Sequence, residues 1–223
     1  MFTGLIEAVG AVRTVTPKEG GKVFGVKVPF KPVMGESIAV SGACVTVSGL
    51  FKEGFFCFAS PETLARTTFG SLGVGSNVHI ERAMPADGRF GGHLVTGHVD
   101  GLGKVVSAGK QGETSILEIQ VPPGLRRFLV QKGSIAVDGA SLTINTVVGE
   151  TVSVTLIPFT LKMTMLGRLQ PGDPVNLEID MISKLVVRTV ERMLGAEGEP
   201  AGAPEKGVTH DLLVKAGFIR DDG

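Results

Sequence analysis

The chain carries its own sequence twice. Residues 35–47 read GESIAVSGACVTV and residues 132–144 read KGSIAVDGASLTI, so a displacement of 97 positions sets Ile38 on Ile135, Gly42 on Gly139, Cys44 on Ser141 and Thr46 on Thr143. The same displacement carries Pro61, Thr63 and Leu64 onto Pro158, Thr160 and Leu161. Further on, Thr67, Gly70, Leu72, Gly75, Val78 and Glu81 fall on Thr164, Gly167, Leu169, Gly172, Val175 and Glu178. Thr3-Gly4 matches Thr96-Gly97 at a displacement of 93, so the second copy holds about four extra residues, expected in the polar hairpin 107–115. A period this long exceeds a solenoid unit and suits a duplicated domain. Copies at 1–88 and 89–182 are expected, parted by the turn Pro85-Ala86-Asp87-Gly88.

Within each copy the pattern is β. Gly25–Val28, Ser37–Val40, Cys44–Val47 and Phe55–Phe58 cluster or alternate β-favouring residues, separated by Gly, Pro, Lys and Glu. The 32 glycines and the absence of Trp and Tyr fit short strands joined by tight turns. Half a dozen short strands in under a hundred residues must hide their edges, so each copy is expected to close into a small barrel and the fold to be all-β. Pro61 and Pro158 each open what reads as the first turn of a short helix.

A different element follows the second copy. Ser183 can cap a helix over 183–195, with Ile182, Leu185, Val186, Val190 and Met193 at helical spacing. That stripe can pack on its own chain or on another copy of it. Residues 196–223 read as a Gly-, Ala-, Pro- and Glu-rich linker to about 206, then a short helix over Leu212–Ala216 capped by Thr209.

Charge and motif content narrow the chemistry. The formal net charge is zero and aromatic residues are 5% of the chain, a poor match to a nucleic-acid surface. No apolar run approaches the roughly 20 residues of a membrane-spanning helix. The opening Met1-Phe2-Thr3-Gly4-Leu5 lacks the basic start and apolar stretch of a signal peptide, and two cysteines cannot build a disulfide framework, so a cytoplasmic, reducing location is expected. Gly109-Lys110-Gln111 does not complete a phosphate loop, and His79, His93, His98 and His210 are too scattered for metal-ligand spacing. Chemistry with no metal and no nucleotide cofactor is expected.

The repeat also marks candidate sites. Each copy offers Thr-Gly at its opening, a small nucleophilic side chain with Thr two residues on, and a Pro-x-Thr turn. These are Gly4, Cys44, Thr46 and Thr63 in the first copy and Gly97, Ser141, Thr143 and Thr160 in the second. Two similar pockets for two similar molecules is one reading; retained turn and strand residues of a duplicated fold is the other. The copies differ where Leu5 corresponds to His98 and Ser41 to Asp138, so the two pockets would share a shape but not a polarity.

The segments MFTGLIE, GESIAVSGACVTV, GGHLVTGHVDG, VDGASLTI and NLEID, in this order and spacing, resemble the riboflavin synthase family (the alpha-chain type) over about residues 1–195. The resemblance implies two tandem six-stranded β-barrels followed by a C-terminal α-helix, and a homotrimer formed through that helix. It implies a transferase that dismutates two 6,7-dimethyl-8-ribityllumazine molecules, between the first barrel of one subunit and the second barrel of another. It further implies association with lumazine synthase. Carried over by position, the catalytic candidates are Ser37, Cys44, His98 and Asp180. The substrate-binding candidates in the first copy are Gly4, Leu5, Ile6, Cys44, Val45 and Thr46, with Phe58, Ala59, Ser60, Pro61, Glu62 and Thr63 around the turn. In the second copy they are Gly97, His98, Val99, Lys132, Ser141, Leu142 and Thr143, with Leu156, Ile157, Pro158, Phe159, Thr160 and Leu161 around the equivalent turn.

Each role has a plainer counterpart. His98 is suited to proton transfer, because imidazoles as a class titrate near neutrality, or it is a structural histidine at a strand end. Cys44 can add to ring carbon 7 of a lumazine or only line the pocket, and Cys57 reads as core. His93 reads as structural, orienting the Gly91-Gly92 turn. Asp180 can bind substrate or cap backbone amides, and Lys132 can meet a carbonyl or a ribityl hydroxyl or stand in solvent. Phe159, where the first copy has Glu62, is given no catalytic role. The rival functions are a non-catalytic lumazine- or flavin-binding protein of the same fold and a flavin-using oxidoreductase on a similar barrel.

Overall fold

The computed structural model describes residues 1–194, and the expected linker and terminal short helix lie outside the described residues. The first copy forms strands β1 (Ala8–Lys18), β2 (Gly21–Lys27), β3 (Ser37–Val40), β4 (Ala43–Phe51), β5 (Gly54–Ala59) and β6 (Asn77–Arg82), with helix α1 (Pro61–Arg66) between the last two. The second forms β7 (Gly101–Gln111), β8 (Thr114–Gln120), β9 (Ser134–Val137), β10 (Ala140–Val148), β11 (Thr151–Leu156) and β12 (Pro174–Ile179), with α2 (Pro158–Met163) in the equivalent place. Both sheets close into six-stranded barrels, ordered β1-β2-β5-β4-β3-β6 and, with the same connectivity, β7-β8-β11-β10-β9-β12. Closure pairs every edge, which open sheets this small could not do.

Register breaks recur at matching places in the two copies. The β1/β2 pairing slips between Val12 and Thr14 and the β7/β8 pairing between Val105 and Ser107, while β4 and β10 slip at Val47/Gly49 and Ile144/Thr146. Such bulges bend a strand and let a short sheet curl shut. The four extra residues of the second copy are not in the hairpin 107–115, because β7 and β8 match β1 and β2 strand for strand. They lie in the connection 121–133, where a 3-10 turn, Pro123–Phe128, lengthens the path that residues 28–36 cover in the first copy. The polar composition of the hairpin misled, since solvent-facing hairpins are polar whatever their length.

Each barrel has its own apolar core. Phe24, Ile38, Phe55, Phe69 and Ile80 fill the first, with Phe24 and Phe69 edge to face at 5.0 Å. Leu117, Ile119, Ile135, Ile144, Leu156 and Leu177 fill the second. Cys57 is in the first core, and burial pushes its thiol up to about 12, which leaves it protonated.

The barrels meet back to back at two tight turns. A Cβ on Gly42 would fall 2.6 Å from the Gly139 nitrogen, so both positions need glycine at their positive φ. Around them runs a buried polar seam. Asn176 Nδ2 donates to Ser41 O at 2.7 Å and to Thr68 Oγ1 at 2.9 Å, and its backbone amide donates to Asp138 Oδ1 at 2.8 Å. His79 Nε2 accepts from the Met165 amide at 2.8 Å, so His79 Nδ1 carries the proton that meets Asp138 O at 2.9 Å.

Helix α3 (Met181–Met193) begins two residues before the expected Ser183 cap. Asp180 follows β12 directly and supplies the cap itself, Oδ1 accepting from the Ile182 amide at 2.9 Å. None of the helix's residues is buried, and Ile182 and Leu185 are 63% and 67% exposed.

Candidate active site: two clefts with exchanged entrances

Strand alternation decides which candidates can meet a ligand. Along β4, Ala43, Val45 and Val47 point into the barrel, so Cys44 and Thr46 point out of it. On β10, Ala140, Leu142 and Ile144 point in and Ser141 and Thr143 out. Val45, Ala59, Leu142 and Leu156 have their side chains in the cores, which leaves only their backbone to face a ligand.

The openings of the two copies cross. Phe2 and Val95 form an antiparallel bridge, Phe2 N donating to Val95 O at 2.7 Å and Val95 N to Phe2 O at 3.1 Å. From this crossing Thr3-Gly4 runs to the second barrel, where Ser141 N donates to Gly4 O at 2.8 Å. Thr96-Gly97 runs to the first, where Cys44 N donates to Gly97 O at 2.8 Å. Sequence equivalence groups Gly4 with Cys44 and Gly97 with Ser141; the structure exchanges them. A Cβ on Gly4 would sit 2.6 Å from the Ser141 Cβ, and one on Gly97 2.5 Å from the Cys44 Cβ. Both glycines also have positive φ, so close approach and backbone conformation demand the same residue.

Two buried carboxylates hold the crossed segments. Glu81 Oε1 accepts from Thr3 N at 2.6 Å and Thr3 Oγ1 at 2.8 Å, and its Oε2 from Gly4 N at 3.0 Å. Glu178 repeats the pattern with Thr96 and Gly97 at 2.7, 2.7 and 2.9 Å. Burial pushes both carboxyls above the usual range, and these donated hydrogen bonds pull them back. The sequence showed Glu81 and Glu178 only as matching positions of the repeat; what each one holds depends on contacts 77 to 82 residues away.

Two clefts result, each walled by one barrel and finished by the other copy's opening. The first, about 320 Å³, is lined by Ala43, Cys44, Glu62, Thr63, Arg66 and Thr67 of the first barrel with Gly97, His98 and Val99. The second, about 280 Å³, is lined by Ala140, Ser141, Phe159, Thr160, Met163 and Thr164 of the second barrel with Gly4, Leu5, Ile6 and Glu7. Their polarity differs, but in the reverse of the sequence grouping: His98 stands at the first cleft and Leu5 at the second, while Ser41 and Asp138 lie in the barrel seam and border neither. His98 and the Glu62–Arg66 ion pair at 3.2 Å border one, and Leu5 and Phe159 the other. Nothing in the sequence marks Glu7, Ala43, Arg66, Ala140 or Met163 as cleft residues, and Thr67 and Thr164 stand out there only as matching positions of the repeat. Most adjoin a candidate residue, or lie one strand or helix step from it.

The remaining candidates stand elsewhere. Ser60 caps α1, accepting the Thr63 amide at 3.2 Å, while Ile157, its counterpart before α2, cannot. Ser37 faces Thr46 across β3 and β4, and Thr143 faces Ser134 across β9 and β10. Lys132 is exposed at positive φ, and its amide donates to Ile144 O at 2.8 Å. Phe58 faces outward under the Lys18 ammonium, and Leu161 packs against the second core. Ser37, Thr46, Phe58, Lys132, Thr143 and Asp180 do not border these two clefts. A larger hollow of about 410 Å³ lies beside the Glu7–Arg82 ion pair and shares Leu5 and Glu7 with the second cleft, but Cys44, His98 and Ser141 do not line it. Among the described residues no group of three or more His, Cys, Asp or Glu comes together as a metal site.

The family described as the lumazine binding domain matches this chain twice, over residues 3–83 and 96–180. A riboflavin synthase of Actinobacillus pleuropneumoniae is 38% identical over 222 residues, covering 98% of this chain and all of the relative. The chain belongs to the riboflavin synthase family. That of Bacillus subtilis (strain 168) is 39% identical across 86% of this chain and 91% of its own length. Among solved structures, LumP complexed with 6,7-dimethyl-8-(1'-D-ribityl) lumazine aligns with a TM-score of 0.72 over 80% of this chain and 99% of LumP, at 22% identity. At that identity the likeness speaks for the fold, two barrels in tandem. This chain is thus an enzyme of the riboflavin synthase type, with one lumazine-binding domain in each barrel.

Proposed function

We propose that the chain converts two molecules of 6,7-dimethyl-8-ribityllumazine into riboflavin and 5-amino-6-ribitylaminouracil by transfer of a four-carbon unit. The observation that carries this reading is the pair of clefts built from equivalent residues, Cys44 beside Gly97 and Ser141 beside Gly4, with unlike polar groups at their mouths. Two similar sites suit two copies of one molecule, and unlike polarity suits different chemical roles for them. The two products together contain every atom of the two substrates, so the reaction consumes no oxidant, reductant or net water.

The protein's tasks are then to hold two rings face to face and to move protons. A lumazine's 7-methyl group is acidic because its anion delocalises into the ring, and positioning alone can supply an effective molarity of about 10⁵–10⁸ M. In this reading His98 takes and returns the methyl proton, and Cys44 lines the same cleft where it can add to ring carbon 7. Ser141 hydrogen-bonds the pyrimidine edge in the second cleft. Thr143, two residues further along the same strand, acts with Ser37, Lys132 and Asp180 from outside the clefts of a single chain, which suits a site completed by a neighbouring subunit. Asp180 retains its helix-capping bond through Oδ1 and offers its other oxygen.

The first barrel of one subunit would then face the second barrel of the next in a homotrimer joined through the exposed apolar face of α3. A cytoplasmic location and association with the enzyme that makes the lumazine belong to the same proposal.

The test is to incubate purified protein with the lumazine alone and quantify products by chromatography. One riboflavin per two lumazines consumed, without added metal or nicotinamide, is expected. Tight binding without turnover would instead identify a carrier of the ligand, and a folded protein that neither binds nor turns over the lumazine would sink the reading.

A further inference from the structure

His93 follows Gly91-Gly92 and was read in the sequence as an orienting residue of that turn. The structure puts it behind the second cleft. It is 8% exposed, its amide donates to Thr3 O at 3.2 Å, and its Nδ1 lies 2.7 Å from Ser141 Oγ. Gly92 makes this approach possible, since a Cβ there would collide with Thr3 O and come within 3.1 Å of Ser141 Oγ. His93 Nε2 is buried and has no hydrogen-bond partner among the described residues.

That unpartnered nitrogen decides which way the His93–Ser141 hydrogen bond runs. Burial holds the imidazole below its ordinary pKa, against a smaller upward pull from the Asp180 carboxylate, so the ring is neutral with one proton. If that proton were on Nε2, a buried N–H would be left without an acceptor, which native structures rarely tolerate. If it is on Nδ1, the buried atom left over is only a lone pair. The second arrangement makes Nδ1 the donor and Ser141 Oγ the acceptor. A hydroxyl has one proton. With His93 occupying a lone pair, the Ser141 proton is directed to whatever occupies the cleft.

We propose that His93 is a positioning residue that makes the Ser141 hydroxyl a committed donor, selecting a ring with a carbonyl oxygen or bare ring nitrogen at that point of the second cleft. The inference rests on the reading that this cleft takes a lumazine ring. Substitution of that acceptor by an amino group would set donor against donor.

Two measurements test it. In the ligand-free protein labelled with ¹⁵N-histidine, the His93 ring, assigned by its loss in His93→Asn, should show a protonated Nδ1 and a bare Nε2. A protonated Nε2 overturns the proposal whether or not a ligand binds, which separates it from the ligand assignment. Calorimetric titration with 6,7-dimethyl-8-ribityllumazine then resolves the role. His93→Asn places an N–H where Nδ1 stood and should bind within about threefold of the unaltered protein, while His93→Leu should weaken one class of sites about tenfold. In a Ser141→Ala background the two His93 variants should bind alike. If His93→Leu weakens binding equally with and without Ser141, His93 serves only the packing and the proposal fails. Failure of the unaltered protein to bind the lumazine would remove the ligand assignment and leave the tautomer as the deciding result.

Discussion

Gly97 and Cys44 are in contact across the two halves of the chain, the cysteine amide donating to the glycine carbonyl at 2.8 Å with no room for a Cβ between them. Gly97→Ala should therefore push the His98 segment off the first cleft. A loss of about 1–3 kcal/mol in stability is expected from overpacking, with a larger proportional loss of activity. Gly20 also has positive φ but faces open space, so Gly20→Ala is the control for backbone strain alone and should cost only about 1 kcal/mol. Denaturant titration and the product assay check both.

The two cysteines should respond oppositely to alkylation. Cys44 is half-buried on the cleft wall, whereas Cys57 is fully buried with its thiol pushed up to about 12. Iodoacetamide on the native protein should modify Cys44 first, and lumazine should protect it. Peptide mass mapping that found Cys57 labelled first would contradict this packing.

Asp138 makes the barrel seam sensitive to pH. Its carboxyl is buried, and that burial raises it from 3.8 to about 7, against the hydrogen bond from the Asn176 amide. The folded chain thus binds this proton more tightly than the unfolded chain. The stability linked to it is full below about pH 4 and is lost as pH rises to about 7. Asp138→Asn keeps an oxygen for the Asn176 amide and has no proton to lose. Its stability advantage over the unaltered protein should grow between pH 4 and 7 and level off above, reaching roughly 4 kcal/mol at most. A difference constant with pH in urea titrations would refute the assignment.

Self-association through α3 predicts that Leu185→Asp yields monomers with intact barrels. Sedimentation should then report one chain instead of three, with an unchanged far-ultraviolet spectrum and reduced turnover. A trimer that persists in this variant would move the interface elsewhere.

Much of this was legible in the sequence because it is local or periodic. The bounds of β3, Ser37–Val40, follow from four β-favouring residues between turn signals, and Pro61 and Pro158 mark the starts of α1 and α2. The repeat carried the two-barrel architecture. What escaped is long-range. The Phe2–Val95 bridge is a single pairing with no periodicity to announce it, so the exchange of Gly4 and Gly97 between clefts was invisible. Phe2, buried at that crossing with Ala39, Val95 and Ala136, read as an unremarked second residue. The pairing of His93 with Ser141 spans 48 residues and depends on Gly92 having no side chain. The start of α3 was displaced because Asp180 and Ser183 are both competent caps, and only the path of β12 chooses between them.

The crossing at Phe2 and Val95 makes the duplication inseparable. Each barrel has a complete core, and a chain severed between them would leave two halves that look self-sufficient by burial. Neither would have a finished doorway, because the latch that closes each one is carried by the opposite half. A change in one opening segment is therefore felt at the far barrel, and the molecule has two chambers but one lock.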